Sequence, residues 1–210
     1  MRFEDLLNKY RTFPVLDIKS VSLVFNVPVK NLSVQFSRWV RSNKLIKLRQ
    51  GLYLFSKKYR QTTVDNHYLS SVILQPSYIS MEKALEYYGL IPENIFAYTA
   101  LTTKRANTFS GAEGTYSYRH IQSKLFREYK TITEHGLSYY IATPEKALLD
   151  YIYVNRFVVT KAFIEGLRLQ NLDELKLDDL KRTASFFNNK NIDKAVALIA
   201  CLKDEEVKIL

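Results

Sequence analysis

A chain of 210 residues, 47% of them hydrophobic, is long enough for one domain or two small ones with real cores, and too apolar to stay disordered. Its single cysteine, Cys201, excludes a disulfide framework and a thiolate-rich zinc site, since both need several sulfurs at set spacings, and fits a reducing, cytoplasmic compartment. Lys and Arg number 31 against 21 Asp and Glu, a formal net charge of +10.

That charge is unevenly placed. Residues 1–60 hold 13 basic and 3 acidic side chains, whereas residues 61–210 hold 18 of each. A basic surplus confined to one small unit is the footprint of a polyanion-binding surface, because Lys and Arg that neutralise phosphates release condensed counterions. No membrane span is expected: the longest stretch free of Asp, Glu, Lys and Arg, residues 66–81, is short and contains His67, Gln75 and Pro76. Nor is a secretion signal expected, since residues 1–11 mix charged and apolar positions.

In chain order, Phe3, Leu6, Leu7 and Tyr10 recur at helical spacing, and Phe13-Pro14 ends that helix. Asp17 is placed to cap a second helix over Ile18–Phe25, and Asn26-Val27-Pro28 turns the chain into a third, running to about Ser42. Two short helices joined this tightly form the helix-turn-helix pattern. The third helix puts Leu32, Phe36, Trp39 and Val40 on one face and Lys30, Asn31, Val34, Ser37, Arg38 and Arg41 on the other. The second set has no acidic member and holds the side-chain types that read base edges and phosphates, as a recognition helix should. Leu45–Phe55 reads as a hairpin turning at Gln50-Gly51, with Ile46 and Leu48 pointing one way and Lys47 and Arg49 the other. Lys44, Lys47 and Arg49 then make a basic wing expected to hold phosphates.

Beyond residue 60 the texture changes: 12 of the 15 tyrosines fall between residues 61 and 160, where they suit half-buried strands and interfaces. Helices are expected at Val64–Leu74, Ser80–Tyr88 with Ser80 as cap, and Pro144–Val154 with Thr143 as cap. Phe96–Thr102, Thr115–His120 and Leu137–Ile141 read as strands, and Thr160–Leu169, Leu177–Phe187 and Asn191–Lys203 as closing helices. The expected fold class is α+β: a winged helix-turn-helix at 1–60, then a mixed region over 61–210 with a helical tail.

Catalysis is not expected, and neither is a cofactor or a metal. His67, His120 and His135 lie far apart, and no phosphate loop or nucleophile elbow is present. Glu145, Lys146 and Asp150 have the residue types of some nucleases, but Thr143-Pro144-Glu145 is better explained as a helix start. Lys104 and Arg105 are candidates for contacting a partner's acidic patch. A protein-interaction module built on the tyrosine-rich region is the alternative from another class.

The order of motifs resembles the AbiEi-type antitoxins of type IV toxin–antitoxin systems. The resemblance runs through Arg49-Gln50-Gly51-Leu52-Tyr53, Tyr78-Ile79-Ser80, Ala84–Pro92, Thr102-Thr103-Lys104-Arg105, Tyr116–Ile121 and Ile141–Asp150. It implies an N-terminal domain that binds inverted repeats in its own promoter and represses the operon, and a C-terminal domain that counters a nucleotidyltransferase toxin without a stable complex. A two-fold operator implies two copies on the DNA. Stand-alone regulators with the same architecture and no toxin gene nearby also share these motifs.

Overall fold

The computed structural model describes residues 1–207 and is of the α+β class. Its first part has three helices, α1 (Phe3–Tyr10), α2 (Ile18–Phe25) and α3 (Val29–Arg41), set against a three-stranded antiparallel sheet. That sheet is ordered β1 (Leu16–Asp17), β3 (Leu52–Phe55), β2 (Leu45–Arg49). Asp17 caps α2 as expected, its Oδ1 accepting from the Ser20 amide at 2.9 Å. Asn26 takes φ of 50°, a left-handed conformation that asparagine tolerates, and Ser22 Oγ donates to the Val27 carbonyl at 2.7 Å to close the turn. Leu6, Val21, Leu32 and Phe36 are fully buried between the helices and the sheet, and the Phe3 ring meets Trp39, Phe55 and Tyr59 edge-on.

The hairpin departs from the expected alternation. Lys47 pairs with Tyr53 and Arg49 with Leu52, so Leu48 is an extra residue in the ladder, a bulge. Leu45, Tyr53 and Phe55 face the three helices, whereas Leu48, Leu52 and Leu54 face the rest of the chain. Both faces of the hairpin are therefore covered.

What covers the second face is a six-stranded mixed sheet and α4 (Asn66–Ile73). The sheet comprises β4 (Ser77–Ile79), β5 (Ala97–Thr102), β6 (Asn107–Gly111), β7 (Gly114–His120), β8 (Tyr129–Glu134) and β9 (Leu137–Ala142), ordered β6-β7-β5-β4-β9-β8. Leu48, Leu52 and Leu54 share one core with Leu69 and Ile73 of α4, Ala100 of β5, and Tyr116 and Tyr118 of β7. Both tyrosines use their polar ends there: Tyr118 donates to the Ser70 carbonyl at 2.6 Å and Tyr116 to Asn66 Oδ1 at 2.9 Å. The larger core includes α5 (Glu82–Tyr87), α6 (Pro144–Asn155), α7 (Lys161–Gly166), α8 (Leu177–Ser185) and α9 (Lys190–Val207).

Most expected elements of this part are present, some with shifted ends: α4 starts at Asn66 rather than Val64, and α7 stops at Gly166 rather than Leu169. β4, β6 and β8 were not foreseen. Ser80 does not cap α5; Met81 occupies that place at φ of 58°, and the Ser80 hydroxyl turns into the core. α9 begins one residue early and continues past Lys203. Among the described residues, no helix is long and apolar enough to cross a membrane.

Candidate nucleic-acid interface

α3 is fixed by what it buries. Leu32 and Phe36 are fully enclosed, so the opposite side must face solvent, and Lys30, Asn31, Val34, Ser37, Arg38 and Arg41 are all exposed there. Among the described residues, the side chains of Lys30, Arg38 and Arg41 form no ion pair or hydrogen bond. Ser37 donates its hydroxyl to the Ser33 carbonyl at 2.8 Å, which leaves its lone pairs as acceptors. The face thus combines unneutralised cations with an amide and a hydroxyl on one rigid element of 13 residues.

The three remaining basic residues are not equivalent. Lys44 lies over the Phe3 ring, 4.6 Å from its centroid, and is half-buried at the seam of α1 and α3. Lys47 is exposed on β2. Arg49 is not beside it on an open wing: its Nε donates to the Ile73 carbonyl at the end of α4, and Nη1 donates to the Gln50 carbonyl at 2.9 Å. The bulge at Leu48 is the reason, because one extra residue reverses the side on which Arg49 emerges. Its guanidinium joins the hairpin to α4.

Lys104 and Arg105 are exposed in the turn after β5, where the Lys104 carbonyl meets His120 Nδ1 at 3.1 Å. They sit at the end of the six-stranded sheet where Thr102 of β5 pairs with His120 of β7. Sequence reasoning did not find Arg119, His120 and Arg156, which line one groove at that same end. They come from the last residues of β7 and the residue capping α6, and no local spacing links them.

Glu145, Lys146 and Asp150 are placed as helix and core residues. Thr143 Oγ1 accepts from the Lys146 amide at 3.3 Å and Pro144 opens α6, as the sequence suggested. Asp150 is fully buried and accepts from the ammonium of Lys146, from Tyr78 Oη at 3.0 Å and from Ser80 Oγ at 2.8 Å. Burial pushes the Asp150 carboxyl up and the Lys146 ammonium down from their ordinary pKa values, because a low-dielectric surrounding disfavours both charges. Glu145 is 5% exposed and accepts from the Lys176 amide at 3.0 Å. A nucleic acid has no path to these three groups in this arrangement.

The histidines remain apart. His67 opens α4 with Nδ1 2.7 Å from Asp65 Oδ1 and its ring stacked on Tyr139. Among the described residues, no group of three His, Cys, Asp or Glu side chains is placed to hold a metal ion. Compared with protein-family models and with curated proteins, the chain matches none.

Proposed function

We propose that the protein is a DNA-binding transcriptional repressor, with α2 and α3 as the helix-turn-helix and β2–β3 as its wing. One observation carries the reading: the solvent face of α3 holds Lys30, Asn31, Ser37, Arg38 and Arg41, unneutralised and with no acidic residue on the helix. Set in a major groove, Asn31, Ser37 and Arg38 reach base edges while Lys30, Arg41 and Lys47 hold phosphates. Lys44 is braced by Phe3 near the same backbone, and Arg49 sets the angle of the wing instead of touching DNA. The chain performs no catalysis in this role and works in the cytoplasm, where its operator is.

Two substitutions separate base reading from phosphate holding. Arg38→Ala should cost operator binding about 1–3 kcal/mol, roughly fivefold to 150-fold, and much less on random DNA. Lys47→Ala should weaken both DNAs alike and flatten the log–log salt slope by about one unit. Fluorescence anisotropy on the region upstream of the gene, at two salt concentrations, reads both. Equal affinity of the parent protein for operator and random DNA, or unchanged binding by both variants, would sink the reading.

The antitoxin half rests on the motif resemblance to AbiEi-type proteins. Under it, co-expression should restore growth to cells producing a nucleotidyltransferase toxin encoded beside this gene. Failure of rescue with repression intact would leave a stand-alone regulator.

A further inference from the structure

A second basic feature lies on the opposite face of the six-stranded sheet from the hairpin. Tyr118 of β7 packs toward the hairpin, and Arg119 next to it emerges on the other face of the sheet, where it reaches the Val154 carbonyl of α6. There, β7, the last turn of α6 and the connection between α8 and α9 surround an open groove of about 840 Å³. That volume lies within the roughly 300–1,000 Å³ typical of small-molecule sites.

The charge in the groove is of one sign. Among the described residues, Arg119, His120 and Arg156 line it and no Asp or Glu does, although residues 61–210 as a whole carry equal numbers of each sign. Arg119 is oriented but not consumed: Nη1 meets Asn155 Oδ1 and Nη2 meets the Val154 carbonyl, both at 3.4 Å, which leaves most of its five donors open. The Arg156 guanidinium has no ion pair or hydrogen bond among the described residues. α9, 18 residues long, begins at the groove, and Asn189 Oδ1 caps the amides of Asn191 and Ile192 at 2.9 and 3.3 Å. The helix therefore adds positive potential there, with the amides of Asn191 and Ile192 already satisfied. Ile121, Ile152 and Ile192 are enclosed behind the groove, and the half-buried Tyr153 and Val154 are the apolar side chains that its wall offers.

Two guanidinium forks and an imidazole around one concavity match a phosphate better than a carboxylate, because an Arg fork fits either oxyanion but only the phosphate brings the second negative charge that two cations balance. The Tyr153 and Val154 side chains suit a flat, largely apolar body attached to that phosphate. We propose that this groove binds a nucleoside phosphate, the phosphate held by Arg119 and Arg156 with His120, the base resting against Tyr153 and Val154. This site is separate from the DNA-reading face and stands whether or not α3 reads DNA.

Isothermal titration of the full chain with the four ribonucleoside 5′-diphosphates and the four unphosphorylated nucleosides, at 0.15 M salt, tests it. At least one diphosphate should bind with a Kd of about 1 mM or tighter and its nucleoside at least about tenfold more weakly. Arg156→Gly should weaken that binding by about tenfold or more. Arg156 sits at φ of 56°, a conformation glycine takes freely, so this variant keeps its fold. Arg119→Gln, on an exposed strand position, is a second variant with the same expected loss. The proposal is overturned if no diphosphate binds, if nucleosides bind as well as diphosphates, or if both variants bind like the parent. Loss of duplex-DNA affinity in the two variants, with no nucleotide bound by the parent, would overturn it in favour of a DNA-backbone contact.

Discussion

Replacing Asp150 with alanine is expected to lower the unfolding free energy by about 3–5 kcal/mol, a large share of the roughly 5–15 kcal/mol that holds a domain folded. The substitution leaves the Lys146 ammonium, 1% exposed, between the rings of Phe187 and Tyr78 without its hydrogen-bonded carboxylate, and takes the acceptor from two hydroxyls. The loss comes from stranded partners, since the directions in which burial shifts both groups show that desolvation opposes the pair's own attraction. Lys146→Met combined with Asp150→Leu should therefore recover most of it. Urea midpoints of the parent, the single and the double variant check this. A double variant no better than the single would show that the unmet hydroxyls of Tyr78 and Ser80, and not the bare ammonium, set the cost.

Leu54→Ala should cost about 2–5 kcal/mol, the usual range for truncating a fully enclosed leucine. Leu54 is 1% exposed and lies on the hairpin face that packs against α4 and β7. It thus belongs to a core that the basic first sixty residues share with the six-stranded sheet. The two parts should unfold together: fluorescence of Trp39, the chain's one tryptophan, and near-ultraviolet circular dichroism of the sheet tyrosines should report one midpoint in the parent protein. Two separated transitions in the parent would show that this shared core does not couple the parts.

The region around α3 was legible because several local signals agree there. The apolar spacing of Leu32 and Phe36, the cap at Asp17 and the turn at Asn26 each act within a few residues, and the start of α6 at Thr143-Pro144 is of the same kind. The bulge at Leu48 has no such mark, so the reversal of Arg49 toward Ile73 could not be read from alternation. Ser80 looked like a cap because Ser often is one; Asp150, 70 positions away, decides otherwise. The change of charge at residue 60 was visible, while the core that crosses it was not, since Leu52 and Leu54 meet Tyr116 and Tyr118 only after the sheet has formed. The groove at Arg119 and Arg156 escaped for the same reason. β4 has three residues, all buried, too few for a period, and β6 and β8 carry almost no apolar residues to alternate.

The polarity that hid β6 and β8 also matters when many copies of the chain are close together. These two strands form the rims of the sheet, where one row of backbone amides and carbonyls lacks a neighbouring strand. A rim of that kind can template another chain, and stacking beyond two chains needs dry side-chain faces that interlock. Here the rims offer Asn107, Thr108 and Ser110 on one side and Lys130, Thr131, Thr133 and Glu134 on the other, all exposed. Each added copy would have to strip water from hydroxyls and charges in return for few apolar contacts. Crowded, newly made chains therefore meet at borders that resist fibre growth.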